Sequence, residues 1–146
     1  MMKEKLLLAT LDDMDLLYEW ANDDEVRKSS FSTEKILYED HVKWFHRVLE
    51  REDCKQYIYY VDDIAVGQVR ITIEGDKAEI GYSICSQYRG HGYAKRMLQV
   101  LKAQLKHDAP ELKTLVAKVK PENVASQKVF MGLGYEETYR KYEIEI

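Results

Sequence analysis

Residues 87–97 read Gln-Tyr-Arg-Gly-His-Gly-Tyr-Ala-Lys-Arg-Met, and the rest of the chain is placed relative to them. Before them, Ala78–Ile84 (AEIGYSI) carries residues that suit a strand, and after them Gly92–Lys106 repeats apolar side chains at helical spacing. The order is therefore strand, loop, helix. Gly90 and Gly92 allow backbone angles that other residues avoid, and the first helical turn leaves its N–H groups without partners. Such a junction holds an anion, with Arg89 or His91 nearby to add charge. Taken alone, the two glycines fit an ordinary connection better than a ligand loop. The stretch lacks the Gly-Lys-Ser/Thr ending of a Walker loop and the spacing of a dinucleotide fingerprint.

At 146 residues the chain is expected to form one domain, residues 1–146, able to bury a core without disulfides or metals. Composition is that of a globular protein, 45% hydrophobic and 33% charged. A net charge of -4 gives no general case for nucleic acid or an acidic membrane as partner. Cys54 and Cys85 belong to no ligand cluster, so no metal site is expected and both thiols are expected reduced. The four-residue apolar run near the N-terminus is too short for a signal peptide or membrane span, which makes the cytoplasm the expected compartment.

Lys5–Ala9 reads as a first strand, and Thr10 as the cap of a helix to about Asn22, with Asp13 completing a capping box. Asp23–Phe31 reads as irregular or a single turn. Ser32 or Thr33 is expected to cap a helix running to about Glu50. Gln56–Val61, Ile64–Ile73 and Lys77–Ile84 form three successive strands joined by Asp62-Asp63 and Gly75-Asp76, an antiparallel meander in which Gly67 marks a bulge. Ala94, Met97, Leu98, Leu101 and Leu105 make the apolar stripe of the next helix, and its lysines and arginines read as a solvent face. Leu112–Val119 is a further strand, Pro121–Met131 leads into a short helix, and Tyr135–Ile146 is expected to supply one long strand or two short ones. The fold class is mixed α/β, a sheet with helices packed against it.

A second motif follows in Asn123, Ser126, Phe130, Gly134 and Tyr135. With Gln87, Gly90 and Gly92 in the first, the two resemble, in order, the paired motifs of the GNAT family of N-acetyltransferases. The resemblance implies a central, largely antiparallel mixed sheet, splayed between its fourth and fifth strands, with helices on both faces and acetyl-CoA in the opening. It implies a cofactor site made of Ile84, Cys85, Gln87, Arg89, Gly90, His91, Gly92, Tyr93 and Ala94 from the loop, together with Asn123, Ser126 and Phe130.

Amide formation needs a neutral amine, a polarised thioester carbonyl and a proton route to the departing thiolate. Glu79 is the candidate general base, directly or through water. Where many members of the family place a tyrosine as general acid, this chain has Phe130, which has no proton to give. Tyr82 is paired with Glu79 as the catalytic set, although Tyr139 and Tyr142 are not separated from it by spacing. On the acceptor side, Trp20, Arg27, Phe31, His41 and Trp44 are candidate substrate contacts. The segment around Trp20–Arg27 resembles the branch of ribosomal-protein and nucleotide-amino-sugar acetyltransferases. The preferred acceptor is a small-molecule amine, a UDP-linked 4-amino-4,6-dideoxy sugar of the pseudaminic-acid type. A protein N-terminus is the runner-up, and a noncatalytic CoA-binding module the alternative of a different class. A homodimer through a sheet edge or helix face is compatible with the sequence.

Overall fold

The computed structural model describes residues 2–146. Strand β1 (Glu4–Leu8) leads to a reciprocal capping box, in which the Thr10 N–H donates to the Asp13 carboxylate at 2.8 Å and the Asp12 N–H donates to the Thr10 hydroxyl at 3.3 Å. A single 3-10 turn then opens α1 (Met14–Ala21). The segment after Asp23 is more ordered than its sequence pattern predicts. Asp23 accepts the Val26 N–H at 3.2 Å and caps a short helix, α2 (Asp24–Ser29).

Helix α3 (Tyr38–Glu50) begins later than the Ser32 or Thr33 cap would place it. The reason lies in other parts of the chain. The Asn22 side chain takes both the N–H and the C=O of Ile36, at 2.7 and 2.8 Å, and Arg27 takes the carbonyls of Ser32 and Glu34. Peptide groups held this way are not available to a helical ladder.

Strands β2 (Cys54–Val61), β3 (Ile64–Glu74) and β4 (Lys77–Ile84) form the meander, and with β5 (Thr114–Ala117) the sheet runs β1-β2-β3-β4-β5. Asp62 and Asp63 both take positive φ, 49° and 65°, the left-handed pair that a two-residue hairpin needs. The β2–β3 register slips between Tyr59 and Tyr60, beside Gly67. A Cβ at Gly67 would lie 2.7 Å from the Ser83 carbonyl oxygen, so the missing side chain beside the bulge lets β3 and β4 approach more closely than another residue would permit.

Helix α4 (Tyr93–Asp108) crosses back over the sheet so that β5 (Thr114–Ala117) lies parallel to β4. Their ladder starts at Lys77 with Thr114 and ends at Ile80 with Ala117. From Gly81 to Ile84, β4 continues without a partner on that side, which is the splay. Helix α5 (Val124–Gly132) follows, capped by the Asn123 side chain, whose Oδ1 accepts the Ser126 N–H at 3.2 Å.

Both sheet faces are covered. On one, Met97, Leu98, Leu101 and Leu105 of α4 and Phe130 of α5 pack on Tyr57, Tyr59, Val69, Ile71 and Ile80. On the other, Leu17 and Trp20 of α1 and Phe45 of α3 enclose Ile58. Burial of such side chains contributes about 1.5–3 kcal/mol each. No helix among the described residues is long and apolar enough to cross a membrane. The expected C-terminal strands are absent: residues 136–146 carry no sheet hydrogen bonds, and Tyr139, Tyr142, Ile144 and Ile146 are exposed. Their alternating pattern meets no strand edge, and β-propensity without a paired neighbour makes no sheet.

Candidate acetyl-transfer cleft

The β4–β5 splay opens into a continuous cleft of about 1090 Å³ that reaches from the glycine loop and α5 to the space between α1, α3 and the sheet. In the loop, Gly90 (φ 82°) and Gly92 (φ 78°) are left-handed, with open space where a Cβ would stand. Among the described residues the N–H groups from Gly90 to Lys95 donate to no acceptor within the chain. They form a row of donors at the positive end of a 16-residue helix, which fits a pyrophosphate.

Of the predicted loop contacts, Ile84, Arg89, Gly90, Gly92, Tyr93 and Ala94 line the cleft, whereas Cys85, Gln87 and His91 stand outside its wall. Gln87 and His91 are exposed to solvent. The Arg89 guanidinium is committed to protein partners, donating to the Asp23 carboxylate at 2.6 Å and the Ile84 carbonyl at 3.0 Å. It braces the loop against the α1–α2 junction. Burial pushes the Asp23 carboxyl up, and hydrogen bonds from Arg89 and the Val26 N–H outweigh it, leaving the carboxyl below its ordinary value. Lys95, predicted on a solvent face, lines the cleft beside the loop donors.

From α5, Asn123, Ser126 and Phe130 join the wall. Asn123 is tied up as the helix cap, and the Ser126 hydroxyl shares a hydrogen bond of 2.7 Å with the Tyr82 hydroxyl on β4. The Tyr82 ring stands edge-on to Phe130, with centroids 5.7 Å apart. A phenol is thus held directly beside the position where this chain lacks one. Burial raises the Tyr82 pKa, with the Ser126 hydrogen bond acting in the opposite sense, so the proton is retained at neutral pH.

Glu79 lies on the opposite face of β4, half exposed at the cleft and 3.3 Å from Lys118. Trp20, Arg27, Phe31, His41 and Trp44 all line the same cleft, but in different roles. The Arg27 guanidinium donates to Ala21, Ser32 and Glu34 carbonyls and to the Ser30 hydroxyl, so it shapes the acceptor-side loop from within. His41 is buried, its Nε2 is 3.0 Å from the Met14 carbonyl, and burial lowers its pKa against the opposing pull of that carbonyl and of Asp15. It is a neutral tie between α1 and α3. Trp20 belongs to the second core, Phe31 is 70% exposed at the mouth, and Trp44 is half-buried above the sheet.

The sequence reading did not single out the polar floor beneath α3. Gln56 donates to Gln68 at 2.8 Å and Gln68 donates to Ser83 at 3.0 Å, a chain across three strands, and Arg70 lies next to it on β3. The available signal was the alternation of Gln68, Arg70 and Thr72 with Val69, Ile71 and Ile73, which marks one polar face on a strand that a helix covers.

A sheet splayed beside a glycine loop, with a half-exposed carboxylate and a half-buried phenol lining one cleft, has the parts that acyl transfer from a CoA thioester needs. The Acetyltransferase (GNAT) domain profile matches residues 5–136, and the chain belongs to the GNAT family: it is an acyl-CoA N-acetyltransferase whose cofactor is acetyl-CoA. No curated protein matches it in sequence. Solved structures share the fold at low identity. A domain from Methanocaldococcus jannaschii superposes with a TM-score of 0.83 at 23% identity, covering 98% of this chain and 94% of that one. The aminoglycoside acetyltransferase AAC(6')-Ib in complex with coenzyme A has a TM-score of 0.79 at 18% identity, covering 93% and 86%. RimL, a ribosomal α-N-protein acetyltransferase in complex with coenzyme A, has a TM-score of 0.77 at 20% identity, covering 88% and 77%.

Proposed function

We propose that this enzyme acetylates the amine of a UDP-linked 4-amino-4,6-dideoxy sugar. The observation that carries the reading is the charge of the cleft. In a chain of net charge -4, Arg27, Arg47, Arg70, Arg89, Lys95 and Lys118 line it against only three acids, Glu25, Asp40 and Glu79. Lys95 stands beside the cofactor loop, Arg89 is paired with Asp23 and Lys118 with Glu79, which leaves Arg27, Arg47 and Arg70 against Glu25 and Asp40 on the acceptor side. Of these Arg70 has no carboxylate partner, so an acceptor that carries an anion, as a nucleotide-linked one does, meets an unpaired guanidinium there. Trp44 and Phe31 add flat apolar surface for a sugar or base.

Acetyl-CoA, when bound, supplies the acetyl thioester and departs as the thiol. The donor row from Gly90 to Lys95 holds its pyrophosphate, and the unpartnered edge of β4 from Gly81 to Ile84 receives the extended arm. Glu79 takes the first proton from the ammonium, directly or through one water, so that nitrogen presents a lone pair, and releases it to solvent afterwards. Tyr82 holds a proton at the splay for the departing sulfur, a role that its contact with Ser126 and Phe130 prepares. The second proton that nitrogen loses on becoming an amide, passed through water, replaces the one Tyr82 gives.

A protein N-terminus remains the second reading, because the open mouth by Phe31 also admits an extended chain. Acetyl transfer to parallel panels of UDP-amino sugars and short peptides with free N-termini separates the two, read by product mass and thiol release. Turnover confined to the sugar panel is expected. Turnover of peptides alone overturns the assignment, and saturable acetyl-CoA binding without turnover of any amine would point to a noncatalytic module.

A further inference from the structure

Arg70 is the one charged side chain on the acceptor floor whose surroundings do not account for it. It projects from the middle of β3, opposite Gln56 on β2 and Gly81 on β4. Its guanidinium carbon lies 4.9 Å from the centroid of the Trp44 ring, which covers one face of the cation. The missing side chain at Gly81 leaves room on the other flank, where a Cβ would come 3.9 Å from an Arg70 terminal nitrogen. Among the described residues no carboxylate pairs with it and no side chain accepts its N–H groups. Glu79, the nearest acid on the same sheet face, is paired with Lys118 instead. Burial lowers the Arg70 pKa, with weaker opposing effects from Cys54 and Glu79, but a guanidinium remains charged throughout the neutral range.

A half-buried cation with unclaimed donors facing a cleft is costly unless a ligand supplies the acceptor. We propose that Arg70, clamped against Trp44, is the anion-reading subsite for the acceptor, selecting amines that carry a phosphate or carboxylate at a fixed distance from the nitrogen. Arg70 pairs with Gly81 and Thr72 with Glu79, so Arg70 and Glu79 are diagonal neighbours on adjacent strands of one sheet face, with backbones about 7–8 Å apart. Neighbours on one face suit an acceptor whose anion and amine are carried on one small scaffold, an amino-sugar phosphate or a short amino acid with a terminal carboxylate. The planar fork of the guanidinium suits either anion with two parallel hydrogen bonds. The inference rests on the acetyltransferase reading of the cleft, and it deepens the nucleotide-sugar assignment without requiring the uridine.

The test compares matched amines. One pair is 4-amino-4,6-dideoxyglucose and its 1-phosphate, with the UDP derivative as a third member; the other is 4-aminobutyramide and 4-aminobutyrate. The wild-type enzyme is expected to favour the anionic member of at least one pair by tenfold or more in kcat/KM. In Arg70→Met that ratio collapses toward one, and Arg70→Lys, which keeps the cation over Trp44, restores part of it. The pair that shows the preference identifies phosphate or carboxylate as the ligand. A preference for the 1-phosphate with nothing gained from the UDP derivative would remove the nucleotide reading while leaving the subsite standing. Isothermal titration of inorganic pyrophosphate into the CoA-saturated full-length protein provides a readout independent of turnover. Binding to the wild type, weakened at least tenfold in Arg70→Met with an unchanged melting temperature, supports the subsite. An unchanged anionic preference in Arg70→Met, or equal pyrophosphate binding by the two proteins, or no binding to either, overturns it.

Discussion

The Arg89 guanidinium donates to the Asp23 carboxylate at 2.6 Å across 66 residues of sequence, joining the glycine loop to the start of α2 on the other side of the cleft. Arg89 is about a third exposed and Asp23 a quarter, so the pair is screened only in part. Its arrangement makes the two halves of the cleft one mechanical unit. Asp23 also caps α2, so its carboxylate orders both sides at once.

Asp23→Asn should therefore weaken acetyl-CoA binding although Asp23 touches no part of the loop's donor row. The expected loss is about 1 kcal/mol in stability, consistent with a partly exposed pair, and a few-fold in the acetyl-CoA dissociation constant. Calorimetric titration of the single and double substitutions at Asp23 and Arg89 checks it. Additive effects of the two changes would show that the contact does not couple loop and helix.

Tyr82→Phe removes the hydroxyl beside Phe130 while keeping the ring. If Tyr82 supplies the proton to sulfur, kcat falls about 100-fold, the scale of general-acid catalysis, with the KM for acetyl-CoA nearly unchanged. Ser126→Ala, which only loosens the phenol, should cost several-fold. Because burial holds the Tyr82 pKa above its ordinary value, no alkaline loss of rate from this group is expected below about pH 10. Steady-state kinetics against pH give the answer, and wild-type kcat in Tyr82→Phe would return the proton to water.

His41 should make the fold acid-sensitive. Its folded pKa is depressed, chiefly by burial, below the ordinary value of 6.5, so the unfolded chain binds the proton first. Stability conferred by the neutral ring is complete above that value and is lost as pH falls through it toward the folded pKa, by at most about 1.4 kcal/mol per pH unit. Urea unfolding at pH 7, 6 and 5 should show this slope, and His41→Gln should flatten it. Parallel slopes in the two proteins would place the acid sensitivity elsewhere.

Deleting residues 137–146 should leave the melting temperature of a monomer within about 2 °C. The tail's ion pairs, Arg140 with Glu137 and Lys141 with Glu143, are internal to it, and its large apolar side chains are exposed. Differential scanning fluorimetry at two protein concentrations is the check. A concentration-dependent loss on truncation would instead show that the tail is buried in a homodimer.

The central architecture was legible because it is encoded locally. The Thr10–Asp13 box, the two-residue Asp62-Asp63 turn and the stripe from Ala94 to Leu105 each act within a single element or turn, where propensity and spacing dominate. The start of α3 was not legible, since Asn22 and Arg27 divert its first peptides from more than one element away. The C-terminal alternation was misleading for the converse reason: a pattern suited to a strand acquires hydrogen bonds only if an edge lies alongside.

Among the site residues the same division holds. The glycine loop is a property of consecutive residues, and its donor row stands where Gly90 and Gly92 placed it. Whether an arginine near that row is available to a ligand depends on distant partners, and Arg89 and Arg27 both proved to be occupied while Arg70 did not. By itself, then, the sequence determined the order of elements and the presence of a glycine loop opening into a helix, because those depend on backbone angles and short-range periodicity. Only the tertiary structure decided which charges face the cleft unpaired and which hydroxyl stands at the splay, because hydrogen-bond partners are chosen by proximity in space and not along the chain.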